Sequence, residues 1–234
     1  MEHSDSVPTF TAPNIRLFII EDYFLARVAI MTALKTFPGI DVVGEAESAE
    51  EGLLLLPEVQ PDILLLDLGL PGMSGIDMAQ IVRKQWSKMK VIILTSHNDE
   101  DGLLQAIGTG ADAYVLKDVK PSKLFEIIQA VNEGGAWLDP FIASIVFNLL
   151  LNSELSSAMN GLKEELPASN SRIDQKEIDL LQSIVAGKDM QEIAGFMDVS
   201  FMTAKKRIAN ILRKLSVDDR IQTAIETSKS QYCI

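Results

Sequence analysis

The sequence predicts an α/β domain with a doubly wound, five-stranded parallel sheet, followed by an all-α domain of four helices. In the first part, continuous runs of Val, Ile and Leu alternate with helix-length amphipathic stretches. In the last part, four helix-length stretches each begin with Asp or Ser, which favour helix N-termini. Charge separates the two parts as well: residues 1–150 carry 21 acidic and 10 basic side chains, whereas residues 172–234 carry 9 and 10. We therefore expect two domains with different partners.

The five predicted strands are uninterrupted apolar runs, as is typical of strands that helices cover on both faces of a sheet. They comprise residues 15–20, 40–44, 63–66, 91–95 and 113–116. A helix is predicted after each strand, at residues 24–37, 49–56, 75–86, 100–108 and 122–133. Ser48 and Asp99 stand where helix N-caps belong, and Gly110 stands where a helix should stop.

The stretch between the two domains predicts one more helix and then a linker. Residues 140–151 are apolar and should form a helix that packs on the first domain or between partners. This helix is too short to cross a bilayer, which takes about 20 residues. Residues 152–171 are rich in Ser, Asn and Glu, as linkers are. The predicted divisions are an α/β domain at 14–137, a connecting helix and linker at 138–171, and a helical domain at 172–234.

The composition excludes several classes of protein. Cys233 is the single cysteine, so an internal disulfide framework is excluded. His3 and His97 are the only histidines, which makes a structural zinc site improbable. The first 14 residues are polar and acidic and do not have the pattern of a secretory signal. We expect a soluble, cytoplasmic protein.

Three carboxylates directly follow predicted strands. Glu21 and Asp22 come after the first strand, and Asp67 ends the third. If the first strand lies beside the third, all three acids converge at the carboxyl edge of the sheet. Three acids in a small space repel one another unless a cation joins them, and oxygen ligands in an open, hydrated site suit Mg²⁺.

Two further strand ends supply what phosphoryl chemistry needs. Thr95 offers a hydroxyl after the fourth strand, and Lys117 offers an ammonium after the fifth. Together with a cation they would neutralise the charge on a phosphoryl group transferred to a nucleophilic carboxylate. Each residue alone is more often a turn, cap or surface residue. Their joint occurrence at successive strand ends predicts that Asp67 is phosphorylated.

The helical domain contains the pattern of a helix, a tight turn and a second helix at residues 191–194 and 199–200. This is the helix-turn-helix plan, in which the second helix enters the major groove of DNA. Residues 203–215 hold five basic side chains and no acid. Helical spacing predicts that Ile208, Ile211, Leu212 and Leu215 face the core. It predicts that Lys205, Lys206, Ala209 and Arg213 point mostly outward. A basic outer face on this helix is expected for DNA binding.

Several separated motifs occur in order along the α/β part. They are Glu21-Asp22, the run Leu-Leu-Leu-Asp-Leu-Gly-Leu-Pro-Gly-Met-Ser-Gly around Asp67, Leu-Thr-Ser at 94–96, and Gly-Ala-Asp-Ala-Tyr followed by Val-Leu-Lys-Asp at 110–118. In this order and at this spacing they resemble the flavodoxin-like receiver domains of two-component response regulators. The resemblance spans about residues 14–135.

The resemblance implies a role for each motif residue. Asp67 would accept phosphate from a sensor histidine kinase. Mg²⁺ would be held by Glu21, Asp22, Asp67 and the backbone carbonyl of Gly69. Thr95 and Lys117 would bind the phosphoryl oxygens, and Tyr114 would be the aromatic residue that swings inward on activation.

Residues 172–230 are similar to the LuxR-type DNA-binding domain of NarL/FixJ regulators. The similarity rests on Thr203-Ala204-Lys205, on Asn-Ile-Leu-Arg-Lys-Leu at 210–215 and on Asp-Arg at 219–220. It implies that Lys205 and Lys206 reach the groove, with Thr203 and Arg207 near phosphates. Residues 173–177, Ala204 and Arg207 depart from the usual pattern, which leaves the target sequence open.

Three functions are compatible with these features. The leading one is a phosphorylation-controlled transcription regulator that binds DNA as a homodimer and is not an enzyme. In the second, the C-terminal domain binds a protein partner, since its recognition helix departs from the usual pattern and its net charge is nearly neutral. The third is a Mg²⁺-dependent phosphohydrolase. It is disfavoured because Gly69 stands where a second catalytic acid would be expected, two residues after Asp67.

Overall fold

The computed structural model describes residues 13–96, 100–159 and 173–217. Its first part is a parallel sheet with the strand order β2-β1-β3-β4-β5-β6. The strands are β1 (Ile15–Ile20), β2 (Ile40–Ala46), β3 (Ile63–Asp67), β4 (Lys90–Thr95), β5 (Ala113–Leu116) and β6 (Trp137–Leu138). The predicted doubly wound parallel sheet is confirmed, with β1 beside β3.

Helices connect the strands, and helices joined by short turns follow the sheet. Those of the α/β part are α1 (Phe24–Leu34), α2 (Ala49–Val59), α3 (Gly75–Gln85), α4 (Glu100–Ile107) and α5 (Pro121–Asn132). They are followed by α6 (Pro140–Met159), α7 (Gln175–Val185), α8 (Met190–Phe196) and α9 (Phe201–Leu215). Among the described residues, no helix combines the length and apolar character that a membrane span requires.

Both faces of the sheet are buried. On one face, Leu17, Leu65 and Val115 belong to a core that also holds residues of α5. On the other face, Phe18 and Leu66 belong to a core that includes residues of α2, α3 and α4. Because strand side chains alternate between two buried faces, nearly every strand position must be apolar. This explains the uninterrupted apolar runs in the sequence.

The predicted number of strands and the predicted ends of three helices were wrong. The sheet has six strands rather than five, because β6 is only two residues long and too short to show a pattern. Helix α2 runs through Pro57 to Val59 and is followed by Gln60, which adopts a left-handed conformation, whereas α1 ends at Leu34 and not at residue 37. Helix α6 continues to Met159 instead of ending at residue 151. Residues 152–159 are more polar than the residues before them but contain neither Gly nor Pro, the residues that most often end a helix.

Helix termini follow the predicted signals where the structure describes them. Ser48 caps α2 by accepting a hydrogen bond from the backbone of Glu51, and Gly110 ends the turn after α4 with φ +70°. In the C-terminal part, Asp174, Asp189 and Ser200 cap α7, α8 and α9. Asp99 and the last of the four helices predicted for the C-terminal part, at residues 218–227, lie outside the described residues.

Helix α6 joins the two parts of the chain. Its buried residues Ile142, Ala143 and Val146 belong to the same continuous apolar cluster as Leu180 of α7 and Ile208 of α9. The C-terminal helices are thus packed onto the α/β part through α6 rather than separated from it.

Gly75, at the start of α3, lies directly against the end of β3. A Cβ atom at this position would be 2.1 Å from the carbonyl oxygen of Asp67 and 2.7 Å from Cα of Leu68. Because both neighbours are backbone, we expect Gly75→Ala to lower the free energy of unfolding by about 2 kcal/mol or more. Urea denaturation followed by circular dichroism measures this.

Gly195→Ala is the matched control, because a Cβ atom there would meet nothing within 4 Å. Gly195 lies inside α8, where alanine should stabilise the helix by up to about 1 kcal/mol. Equal stability of Gly75→Ala and the wild type would contradict the close approach of α3 to β3.

Candidate functional site

The carboxyl ends of four neighbouring strands meet around one pocket of about 260 Å³. Its polar lining includes the residues that were singled out from the sequence: Glu21, Asp22, Asp67, Thr95 and Lys117. The parallel register brings them together. Asp67 is paired with Leu94, the residue before Thr95. Thr95 is paired with Leu116, the residue before Lys117. Glu21, Asp67 and Thr95 are buried, whereas Asp22 is exposed.

The three carboxylates are close enough to bind one cation together. One oxygen from each of Glu21, Asp22 and Asp67 lies within 4.8 Å of the others. Nζ of Lys117 lies 2.8 Å from Oδ2 of Asp67 and 2.9 Å from Oε2 of Glu21. The lysine therefore supplies positive charge between two buried acids that would otherwise repel each other.

The pocket perturbs the protonation of its members. Burial raises the pKa of Glu21 above its ordinary value, and the charge of Asp67 adds to this effect, although the hydrogen bond from Lys117 opposes it. Burial by itself would lower the pKa of Lys117. Hydrogen bonds with Asp67 and Glu21 outweigh burial, so the pKa of Lys117 is raised and the ammonium stays charged at neutral pH.

The donor set fits Mg²⁺. All candidate ligands are oxygens, which this cation prefers, and the exposed Asp22 leaves a side open to water. Oε2 of Glu21 is buried and forms an ion pair with Lys117 but no hydrogen bond. This oxygen can therefore also bind a cation. Gly69 lies in the same loop, and its N–H donates to Oδ1 of Asp67 at 3.1 Å.

Sequence reasoning missed a residue that holds this loop. Oε1 of Glu50, in the first turn of α2, accepts a hydrogen bond from the N–H of Met73 at 2.8 Å. This bond ties the segment after Asp67 to a neighbouring helix. The available signal was weak, because an acidic residue in the first turn of a helix is usually explained by the helix dipole alone.

Tyr114 is fully buried on the same sheet face as Thr95. Its hydroxyl accepts a hydrogen bond from the N–H of Ala111 at 3.0 Å and lies 3.0 Å from the carbonyl oxygen of Ala106, to which it can donate. Burial raises the pKa of the phenol well above its ordinary value, so the hydroxyl stays protonated. Tyr114 therefore connects β5 to the end of α4.

Tyr114→Phe should reduce the free energy of unfolding by about 1–2 kcal/mol, since the N–H of Ala111 loses its acceptor inside the protein. Tyr23→Phe is the control, because Tyr23 is 62% exposed and its variant should stay within about 0.5 kcal/mol of the wild type. Urea denaturation of both variants checks this. Equal effects of the two substitutions would contradict a stabilising role for the buried hydroxyl.

Helix α9 buries the four apolar residues that were predicted to face the core. Ile208, Ile211, Leu212 and Leu215 are buried. Thr203, Lys206 and Arg213 are exposed, and Arg207 is half-buried. Lys214 instead ties α9 to α7 through an ion pair with Glu177 at 2.8 Å.

The prediction that Lys205 and Ala209 point outward was wrong. Ala209 packs against the core. Lys205 lies against the turn after α5, where a Cβ atom added to Gly135 would be 2.9 Å from Cβ of Lys205. Burial lowers the pKa of Lys205, and its ammonium lies 4.3 Å from the centre of the Phe201 ring. Helical spacing does not reveal this contact, because it involves another part of the chain.

Two family profiles match the chain in the order of its two parts. Residues 17–129 match the response regulator receiver domain, and residues 173–227 match the luxR family of bacterial regulatory proteins. The receiver match covers most of β1, the strands β2 to β5 and every residue of the pocket, and it ends before β6. The luxR match covers α7, α8 and α9.

Individual relatives match over nearly their whole length. The chain is 34% identical over 211 residues to the transcriptional regulatory protein LiaR of Bacillus subtilis, covering 90% of this chain and 95% of LiaR. A LuxR-family two-component response regulator from Aurantimonas sp. SI85-9A1 is 30% identical, with a TM-score of 0.55 over 59% of this chain and 99% of that chain. The two-component response regulator RcsB in complex with DNA is 21% identical and shares the fold, with a TM-score of 0.53 over 92% of this chain and 98% of that chain.

Proposed function

This chain belongs to the NarL/FixJ family of two-component response regulators, with a receiver and a LuxR-type DNA-binding domain, and we propose that phosphorylation of Asp67 controls its binding to DNA. The observation that carries the proposal is the pocket in which Lys117 bridges Asp67 and Glu21 at hydrogen-bond distance. The divisions at 14–137, 138–171 and 172–234 are part of the proposal. As a regulator of transcription it would act in the cytoplasm, where the chromosome lies.

The donor would be a phosphohistidine of a sensor kinase. A carboxylate oxygen of Asp67 attacks phosphorus, an O–P bond forms, the P–N bond breaks, and the imidazole leaves. Lys117 and the Thr95 hydroxyl are placed to bind phosphoryl oxygens. Glu21, Asp22, Asp67 and the carbonyl of Gly69 would hold Mg²⁺, which when bound supplies positive charge to the phosphoryl group. We propose one phosphoryl group held per chain rather than repeated turnover.

Phosphorylation would change the balance of charge around Lys117. The lysine now pairs with two carboxylates, and a dianionic phosphoryl group beside it would compete with Glu21 for the ammonium. Movement of the loops after β4 and β5 would follow. Tyr114, on β5, would pass this movement to the end of α4 and to the turn at Gly110. This turn lies close to α9, because a Cβ atom at Gly110 would be 3.3 Å from Oγ of Ser216, just after that helix.

The contacts of α9 support a mechanism of release. Lys205 is half-buried beside Gly135, so DNA approaching this side of α9 would meet the receiver. We propose that the unphosphorylated receiver covers part of the recognition helix. Phosphorylation then favours an open arrangement that binds DNA as a homodimer, which is a shift between existing states.

A gel-shift series tests the coupling. A DNA site is selected from a random pool with acetyl phosphate-treated protein, and its affinity is compared for treated and untreated protein. Treatment should strengthen binding by about 5- to 150-fold, the usual range of coupling between two sites. Unchanged affinity in protein that intact-mass spectrometry shows to be phosphorylated would contradict the proposal.

A protein partner for the C-terminal domain remains the second candidate function. Its support is the exposure of two aromatic residues near the helix-turn-helix: Phe196 is 66% exposed and Phe201 is 42% exposed. Binding to random DNA that weakens as salt rises would favour DNA as the partner. Lack of binding even at low salt would favour a protein.

A further inference from the structure

Arg27 is a buried charged residue that the phosphoryl-transfer chemistry does not use directly. It lies on the first turn of α1, and its side chain is only 10% exposed. A guanidinium so far removed from water needs partners for its donors. Those partners lie at the edge of the phosphorylation pocket.

The partners of Arg27 come from two strand ends. One terminal nitrogen donates to the backbone carbonyl of Glu21 at 2.6 Å, in a buried hydrogen bond. Nε donates to Oε2 of Glu45 at 2.9 Å, near the end of β2. The other terminal nitrogen lies 3.9 Å from Oε2 of Glu47. Arg27 thus joins α1, the end of β1 and the end of β2 through one planar group.

The backbone of Glu21 is held on both sides by this arrangement. Its N–H donates to the carbonyl of Ala46 at 3.2 Å, and its carbonyl accepts from Arg27. The next residue is Asp22, so two of the three clustered carboxylates are carried by a backbone segment that Arg27 fixes. The geometry of a cation site depends on such outer partners as well as on the ligands themselves.

We propose that Arg27 is a positioning residue for phosphorylation: through the carbonyl of Glu21 and the carboxylate of Glu45, it holds Glu21 and Asp22 where they bind Mg²⁺ together with Asp67. The inference rests on the proposed phosphorylation of Asp67. Arg27 itself touches neither the phosphoryl group nor the cation. Its planar guanidinium donates hydrogen bonds to two acceptors in fixed directions, and a lysine ammonium can reproduce this geometry only in part.

The test separates binding of Mg²⁺ from the rate of the chemical step. Phosphorylation of the full chain by acetyl phosphate is followed while MgCl₂ is varied, and Mg²⁺ binding is measured separately by isothermal titration calorimetry. Arg27→Gln should raise the half-saturating Mg²⁺ concentration about tenfold, because an unfixed loop lowers metal affinity by about 10- to 100-fold. The rate at saturating Mg²⁺ should stay within about threefold of wild type, since Lys117 and Thr95 are untouched.

Further variants keep the test decisive. Arg27→Lys should recover part of the Mg²⁺ affinity. Glu45→Gln keeps a hydrogen-bond acceptor for Arg27 and should weaken Mg²⁺ binding only about two- to threefold. Lys35→Gln is the control, because Lys35 is exposed just after α1 and should leave Mg²⁺ binding unchanged.

Two results would overturn the inference. One is a half-saturating Mg²⁺ concentration for Arg27→Gln within about twofold of wild type. The other is a loss of thermal stability with unchanged Mg²⁺ binding, which would give Arg27 a structural role only. If Arg27→Gln does not fold, Arg27→Lys decides on the same criteria, and Glu45→Gln contradicts the inference if its Mg²⁺ affinity equals that of the wild type. Wild-type protein that binds Mg²⁺ and is not phosphorylated would instead contradict the proposed function, while calorimetry would still test Arg27.

Discussion

Asp67→Asn should reduce phosphoryl incorporation from acetyl phosphate to below about one hundredth of the wild-type rate. The amide of asparagine is a poor nucleophile and carries no charge. It also takes away the carboxylate that lies 2.8 Å from Nζ of Lys117 and one of the three clustered acids. Intact-mass spectrometry over time measures the incorporation.

Asp41→Asn is the matched control, because this substitution removes the same charge at an exposed position on β2. It should be phosphorylated like the wild type. Asp67→Asn protein should in addition show the same DNA affinity with and without acetyl phosphate. Incorporation at a normal rate in this variant would place the acceptor elsewhere and remove the basis for the proposed switch.

Lys206→Glu should weaken binding to a selected DNA site by at least about tenfold at moderate salt. Lys206 is exposed on α9, so its ammonium is free to approach DNA. Glutamate removes an attractive charge and adds a repulsive one beside the phosphates. Affinity measured over a range of salt concentrations should also show a smaller salt slope, by about one unit for the lost phosphate contact.

Lys176→Glu provides the control for Lys206→Glu. Lys176 is exposed on α7, in the same domain, so the net charge changes equally. Lys206 is a sharper test than Lys205, because a change at Lys205 also alters the contact with Gly135. Equal losses for Lys176→Glu and Lys206→Glu would mean that overall charge, and not the outer face of α9, determines DNA binding.

Most of the fold could be predicted because its signals are local. Continuous apolar runs mark strands buried on both faces, and Ser48, Asp174, Asp189 and Ser200 act as the N-caps that their residue types favour. The failures have local causes as well. Strand β6 is too short to show a period. Helix α6 runs on to Met159 because residues 152–159 contain no Gly or Pro that would end it.

The residues of the pocket could be selected from the sequence for a related reason. Parallel strands place their carboxyl ends at one edge, so acids, a hydroxyl and a lysine that follow successive strands must come near one another. The distances between them could not be predicted. The bridging position of Lys117 between Asp67 and Glu21, and the raised pKa of Glu21, depend on burial and on side-chain directions that only the packed structure defines.

The sequence by itself determined the fold class, the order of the two domains and the membership of the pocket, because these depend on residue type, period and spacing along the chain. The tertiary structure alone decided which charged residues are buried and what they contact. Arg27 is held at two strand ends and Lys205 lies against Gly135, although no sequence pattern indicated either contact. The physical reason is that burial and ion pairing arise between segments distant in sequence, and local patterns carry no record of those contacts.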